Sequence, residues 1–272
     1  MTKKKQNNKS KYILVGVLAF LVIFGLVIIL CDPFSWFKKQ EDNGTIDTTP
    51  TAESEVDNEE KSKVEQLWKD NSAINGDYIG AIEFESGLIS QPFVQGSDNS
   101  VYYRTNWKTM EYDIEGTVFL DSANTLEDQN LILIGHYVYE SLDSTRTHMF
   151  TPLAKLIDQN NYEDNKYVKL YLENEVREYE IAYVYYCQLI FDEYNGESFY
   201  YTEDGYEFYV PNYTEEMFDN YISTIKENAF YDTGVDVDYK DKILTLQTCV
   251  ENRDDLREIV VLKEISRVSY GE

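Results

Sequence analysis

The chain has 272 residues, of which 50 are acidic and 24 are basic, and its formal net charge at pH 7 is −26. A surface this negative repels nucleic acid and anionic lipid, which excludes nucleic acid as a partner and is typical of a well-solvated exterior. The three cysteines are too few for a disulfide scaffold: Cys31, Cys187 and Cys249.

The N-terminus is predicted to be a membrane anchor. Five lysines lie within residues 1–11, and 19 residues without any charge, 12–30, follow them. A helix of this length crosses a bilayer, and the preceding lysines predict that its N-terminal side faces the cytoplasm. A cleaved signal peptide and a lipid attached at Cys31 are the alternatives. The apolar run is long for a signal peptide and no small-residue cleavage site follows it, and Leu30 stands where lipidation requires a small residue.

These observations divide the chain into four parts: a basic cytoplasmic tail at 1–11, a transmembrane anchor at 12–30, a polar extracytoplasmic linker at 31–58 and a folded domain at 59–272. We therefore expect a single-pass protein of the cell membrane, with its N-terminus inside and its folded domain outside. A domain of roughly 200 residues is large enough to bury one core.

The folded domain is predicted to be mostly β. A helix is expected first, at residues 59–71, with Val64, Leu67 and Trp68 on one face. Short apolar or alternating runs then predict strands at residues 80–84, 92–95, 101–103, 117–120, 131–134, 167–172, 178–191, 243–246 and 259–262.

Two helices are expected to interrupt the strands. Thr151 and Pro152 are predicted to open the first, with the threonine as its cap and the proline at its first position. The second is expected at residues 214–228, with an apolar stripe for core packing formed by Phe218, Tyr221, Ile222 and Ile225. The pattern indicates a β-barrel or closed sheet with peripheral helices.

Cys249 is the candidate nucleophile. It ends an apolar run that leads into Thr-Leu-Gln-Thr-Cys, and Arg253 and Arg257 follow it. A thiol at the end of a strand, close to fixed positive charge, is where a reactive thiolate is expected. Cys187 lies in an aromatic-rich strand pattern and is expected to be a buried, inert thiol.

His136 is the candidate acid and base, and Arg257 is the candidate oxyanion or substrate ligand. Of the two histidines, His136 follows a buried strand and a glycine, whereas His148 lies in a polar segment without rigid placement. A lone histidine at a strand end is more often structural, but a cysteine placed in the same way shifts that balance. Arg257 begins a strand expected to pair with the one ending at Cys249. Arg253 is expected in a solvated turn, and a surface ion pair is the alternative for either arginine.

Other chemistries lack the residues that they need. The sequence has no His and Cys cluster with metal-ligand spacing, no Gly-rich phosphate loop ahead of a helix and no Gly-x-Ser-x-Gly motif. We expect neither a metal nor a cofactor.

The motifs resemble those of the sortases, and of class B sortases in particular. The pentad at 245–249, the Gly-His pair at 135–136 and Arg257 occur in the order His, Cys, Arg behind an N-terminal anchor. The resemblance covers about residues 59–268. It includes the segments at 92–95, 98–99, 102–103, 116–121 and 149–150 and the helix at 214–228.

The resemblance implies a barrel of about eight strands, with an N-terminal helix and a helix between the sixth and seventh strands. It implies a membrane-anchored cysteine transpeptidase that cleaves a C-terminal sorting motif of secreted proteins. The acyl group would form a thioacyl intermediate on Cys249 and pass to an amine of the peptidoglycan precursor or of a pilin, with His136 as acid and base. Gln247 and Thr248 would contact the substrate beside the nucleophile.

Two departures and two alternatives accompany this interpretation. Gln247 replaces a serine often found in the pentad, and the segment from His136 to His148 is longer than expected for the class. A hydrolytic cell-wall cysteine peptidase is one alternative, although such enzymes usually place Cys before His in the chain. An anchored surface-binding domain without catalysis is the other, and it needs no thiol at a strand end.

Overall fold

The computed structural model describes residues 52–191, 198–200 and 210–271. The predicted tail and anchor, Cys31 and most of the predicted linker lie outside these ranges. Within them, no helix combines the length and the apolar character needed to cross a bilayer.

Eight strands close into a barrel, and a ninth extends one of them. The strands are β1 Tyr78–Phe84, β2 Ser90–Val94, β3 Phe119–Leu120, β4 Asn130–Ile134, β5 Tyr167–Tyr171, β6 Glu175–Phe191, β7 Ser198–Tyr200, β8 Ile243–Val250 and β9 Arg253–Ser269. Their order is β5-β1-β2-β3-β4-β8-β9-β6-β7, and β6 pairs back to β5, which closes the ring with β7 outside it. The pairs β2–β3 and β4–β8 are parallel, and the other pairs are antiparallel. The prediction of a mostly β fold with an eight-stranded barrel is confirmed.

The helices lie before the first strand and in the connections between later strands. They are α1 Ala52–Ser72, α2 Tyr162–Asn165 and α3 Glu215–Asn228, with 3-10 turns at Thr151–Lys155 and Gln159–Asn161. Helix α1 includes the predicted helix at 59–71 but begins inside the predicted linker. Helix α3 falls between the sixth and seventh barrel strands, and the Thr214 side chain caps it by accepting from Met217 N (3.3 Å).

The central residues of strands β8 and β9 are buried on both faces. Leu244 and Leu246 of β8 belong to the barrel interior, together with Val260 and Leu262 of β9. Alternate residues of the same strands pack outward under the apolar stripe of α3: Ile243, Ile259 and Val261 against Phe218, Tyr221 and Ile225. Burial on both faces explains why these strands are continuous apolar runs and not alternating ones.

Two local predictions are wrong. Residues 101–103 form turns and no strand, because Tyr102 is buried in the loop and its hydroxyl donates to Asp77 Oδ2 (2.7 Å). Thr151 is not a helix cap. It is the first residue of a 3-10 turn, and its hydroxyl accepts from Val138 N (2.7 Å), which ties the turn to the segment after β4.

Candidate active site

The parallel pair β4–β8 brings two of the candidate residues to one end of the barrel. The last register pair is Ile134 with Gln247, and Gly135 N then donates to the Gln247 carbonyl (3.0 Å). His136 and Cys249 therefore leave the sheet at the same edge. Gly135 is required there, because an added Cβ would lie 2.7 Å from the ring of Phe150.

The antiparallel pair β8–β9 places the third candidate beside the thiol. Arg257 is the register partner of Cys249, and the register shifts immediately after this pair. The Arg257 guanidinium donates to the carbonyls of Asp254 (3.1 Å) and Leu256 (2.7 Å). It forms no ion pair with any carboxylate of the described residues, so its charge is available in the groove.

A groove divided into two pockets runs past these residues. Four residues line both pockets: Tyr103, His136, Cys249 and Arg257. The smaller pocket, about 170 Å³, is completed by Asn99, Phe119, Ile134, Gly135, Gln247 and Thr248. The larger cleft, about 350 Å³, is completed by Arg104, Ile114, Tyr137, Val138, Tyr139, Leu142 and Asp254. A nucleophile between two pockets has room for one group on each side.

His136 is fixed by the loop before β3. Its Nε2 lies 2.7 Å from the Tyr103 carbonyl oxygen, and its ring packs against the Tyr103 ring (4.5 Å between centroids). A carbonyl can only accept, so Nε2 carries the proton and Nδ1 is the nitrogen left to exchange one. Burial lowers the pKa of His136, and the charges of Arg104 and Arg257 lower it further, against the opposing effect of the Tyr103 carbonyl. The imidazole is therefore neutral near physiological pH.

Gly116 supports the carbonyl that holds His136. Its φ is +62°, and an added Cβ would lie 2.5 Å from the Tyr103 oxygen and 2.8 Å from that of Tyr102. Gly116 thus combines a left-handed conformation with a close backbone approach, and both require glycine.

His148 and Arg253 lie outside the groove. His148 is exposed, and its Nδ1 is 2.9 Å from Glu115, whose hydrogen bond raises the pKa of the imidazole. Arg253 pairs with Asp255 on the surface (2.9 Å). His136 and Arg257 thus line the groove, whereas His148 and Arg253 do not.

Cys187 is buried, and it lies two strands away from Cys249. Arg257 of β9 is the register partner of Cys187 on β6 and of Cys249 on β8. With about 4.8 Å between neighbouring strands, the two cysteines are separated by about 10 Å, too far for a disulfide. Neither cysteine forms one in the described chain.

The two predicted substrate-binding residues have different environments. Gln247 is buried against the smaller pocket, whereas Thr248 faces the barrel interior opposite Glu258. Thr248 Oγ1 and Glu258 Oε1 are buried without a hydrogen-bond partner among the described residues. No sequence pattern indicates a role for Glu258, Tyr103 or Arg104 in the site. The only signal for Tyr103 was its place in a segment resembling a family motif, and a main-chain acceptor leaves no sequence signal.

The described residues include no group of three or more His, Cys, Asp or Glu side chains that could hold a metal ion.

A scan against protein-family models gave no match. Sortase B of Listeria monocytogenes is 28% identical to this chain over 217 residues, which cover 79% of this chain and 78% of the relative. Sortase B of Staphylococcus aureus is 26% identical over 199 residues, covering 72% and 73% of the two chains. The crystal structure of sortase B from Clostridium perfringens superposes with a TM-score of 0.59 at 29% identity, covering 73% of this chain and 99% of that structure.

Proposed function

Because this chain is a class B sortase and hence a cysteine transpeptidase, we propose that it cleaves a C-terminal sorting motif of secreted proteins through Cys249 and transfers the acyl group to a cell-wall or pilin amine. The observation that supports this most directly is the pair of pockets that meet at Cys249, His136 and Arg257. The acyl part of the donor would occupy one pocket, and the leaving peptide and then the acceptor amine would occupy the other.

In the first step, the Cys249 sulfur attacks the carbonyl carbon of the scissile amide. His136 takes the thiol proton on Nδ1 as the sulfur attacks and passes it to the leaving amine as the carbon–nitrogen bond breaks, so a thioester remains on the enzyme and the imidazole is neutral again. Arg257 donates hydrogen bonds to the oxygen that becomes negative in the transition state. Its position beside Cys249 on the next strand fits that role.

In the second step, the acceptor amine attacks the thioester. The neutral imidazole of His136 takes the proton of the attacking nitrogen and passes it to the sulfur as the carbon–sulfur bond breaks, which restores the thiol. The low pKa of His136 suits this step, because a charged imidazolium cannot accept a proton.

The smaller pocket is assigned to the acyl part of the donor. Its walls are mostly neutral, and Gln247 lies two residues before the nucleophile on the same strand. Gln247 and Thr248 are therefore the residues that we assign to motif selection, with Gln247 contacting the peptide and Thr248 shaping the strand beneath it.

The location proposed for the enzyme is the outer face of the cell membrane. Residues 12–30 would hold it there as a single span, with the basic tail inside. The secreted donor proteins and the peptidoglycan precursor or pilin acceptor are found on that side.

The test uses the full-length protein, a set of sorting-motif peptides and an amine acceptor, followed by mass spectrometry. Cys249→Ala and His136→Ala should each abolish transfer, and Cys249 should carry the acyl mass in the wild type. His148→Ala is the matched control and should stay near the wild-type rate, since His148 is outside the groove. Cleavage that persists in Cys249→Ala would refute the mechanism. Release of free acid without amide product would favour the hydrolytic peptidase.

A further inference from the structure

The charges of the groove differ from those of the rest of the chain. The sequence contains six arginines, and four of them form ion pairs: Arg146 with Glu251, Arg177 with Glu175, Arg253 with Asp255 and Arg267 with Glu264. Arg104 and Arg257 form none with the described carboxylates, although the chain has about twice as many acids as bases. Both line the larger cleft.

Arg104 is held in place without being neutralised. Its guanidinium lies over the Tyr103 ring (5.0 Å) and donates to the Ile114 carbonyl. A guanidinium has five N–H groups, so most of its donors remain for a ligand. Its charge also reaches His136, whose pKa it lowers.

The two pockets differ in the charged side chains that line them. Arg257 is common to both, whereas Arg104 and Asp254 line only the larger cleft, and Arg104 is the only additional basic side chain in either pocket within the described chain. Ile114, Val138 and Leu142 supply apolar walls around Arg104, and such walls strengthen an ion pair relative to open water.

We propose that the larger cleft is the acceptor site and that Arg104 binds a carboxylate carried by the acceptor amine. This inference rests on the proposed function. After the first step the acyl group stays in the smaller pocket on Cys249, and the acceptor enters the cleft that the leaving peptide has vacated. Its carboxylate pairs with Arg104, which directs its neutral amine at the thioester carbonyl beside His136. The new carbon–nitrogen bond forms as the carbon–sulfur bond breaks, and the amine proton passes to His136.

The test compares acceptors that differ only in a carboxylate. The full-length enzyme is given one donor peptide with triglycine or triglycinamide, and with Nα-acetyl-lysine or Nα-acetyl-lysinamide, at about pH 8 so that His136 is neutral in every variant. For at least one pair, the wild type should favour the carboxylate with a kcat/KM about tenfold or more higher, as expected of a charge-assisted hydrogen bond. The overall negative charge would produce the opposite preference.

Variants identify the residue responsible. Arg104→Gln should remove the preference, and Arg104→Lys should keep part of it, since a lysine offers the charge without the planar fork. Lys108→Gln is the matched control: Lys108 belongs to the same loop, is exposed over Trp107 and lines neither pocket. The burst of leaving peptide without acceptor, measured in all four proteins, separates an effect on acylation from an effect on transfer, and Lys108→Gln should leave it unchanged.

Three results would overturn the inference. They are a wild type that favours neither carboxylate, a preference that survives in Arg104→Gln, and an Arg104→Gln variant that is slowed in peptide release but not in transfer. Failure of the wild type to acylate Cys249 with any donor is a different result, and it would refute the proposed function.

Discussion

His136 is prepared to act as a base by three neighbours of different kinds. The protein around it limits its contact with water, two arginines add positive charge, and a backbone carbonyl fixes its tautomer. Because burial and positive charge both disfavour the imidazolium, the neutral form persists to a lower pH than for an ordinary histidine.

The pH dependence of kcat/KM should report this lowered pKa. The acid limb, where the base becomes protonated, is expected below pH 6.5, the ordinary value for histidine. Arg104→Gln removes one positive charge, so the limb should move to higher pH. Initial rates between about pH 5 and pH 8 with one donor and one acceptor would measure the acid limb of the wild type and of Arg104→Gln. A wild-type limb at or above pH 6.5 would contradict this account.

Arg257 and Arg253 provide a matched comparison on one strand. Arg257 is beside Cys249 in the groove, whereas Arg253 pairs with Asp255 in solvent. Arg257→Ala should lower kcat by about 10²-fold or more, the usual cost of losing an oxyanion donor, and Arg253→Ala should change it by less than about twofold. Steady-state kinetics would show this, and the reverse order would reassign the oxyanion role.

Sequence reasoning could select these side chains because each sits next to a recognisable strand end. It could not select Arg104 or the Tyr103 carbonyl. Both lie in a loop of turns, where neither hydrophobic period nor spacing predicts which groups will face the site.

At the scale of elements, the segment after β4 forms one wall of the larger cleft, and hydrogen bonds hold its conformation. Asp143 accepts from the Thr145 hydroxyl and from the backbone N–H groups of Thr145 (2.9 Å), Thr147 (2.7 Å) and His148 (3.1 Å). These bonds, that of the hydroxyl first, hold the pKa of its carboxyl well below the usual range. Arg146 then pairs with Glu251 in the β8–β9 turn (3.1 Å). The segment from His136 to His148, which is longer than expected for the class, is thus held by hydrogen bonds within itself and by an ion pair to the β8–β9 turn.

Asp143→Ala should loosen this wall while leaving the barrel folded. The three amides lose their acceptor, so the peptide bond after Arg146 should become more accessible to trypsin. Limited proteolysis followed by mass spectrometry would locate the cut. Asp158→Ala, which removes a similar cap at the turn Gln159–Asn161, is the control, and equal cleavage at Arg146 in both variants would contradict the role of Asp143.

Strand length was harder to predict than strand position. β9 spans Arg253–Ser269, yet only its centre, residues 259–262, is an apolar run. Its polar ends are strand because they pair with β6 along nearly its whole length. Such pairing is a tertiary effect that a local pattern does not contain.

At the scale of the whole molecule, the barrel interior contains an acid. Glu258 continues the inward row of Val260 on β9, is almost fully buried, and faces Thr248 on β8. Burial raises the pKa of Glu258 to about 8 from an ordinary value of 4.5. The folded protein therefore keeps a proton that the unfolded chain releases.

Stability should fall as pH rises through this window. Between pH 4.5 and about 8, the folded state binds one more proton than the unfolded state, so the free energy of unfolding decreases by at most about 1.4 kcal/mol per pH unit. Glu258→Gln should remove this contribution to the slope. Denaturant unfolding of the two proteins at several pH values would measure the difference, and identical slopes would show that the carboxyl is already ionised.

A β-barrel was predictable as a class because the apolar runs of its strands are short and separated by polar turns. Its closure was not. The pairings of β1 with β5 and of β6 with β9 join segments far apart in the chain, and the interior acid at Glu258 contradicts the rule that buried strand positions are apolar.

The hydrogen bond between His136 and the Tyr103 carbonyl also bears on how this enzyme can diverge. Every amino acid offers the same main-chain oxygen, so side chains at positions 103 and 104 can change, and with them the preferred acceptor, without loss of the contact that orients the base. The restriction falls instead on Gly116, where any side chain would press on that oxygen. Acceptor choice and base geometry can therefore vary independently, and a mutational scan should find positions 103 and 104 more tolerant than Gly116, which lines neither pocket.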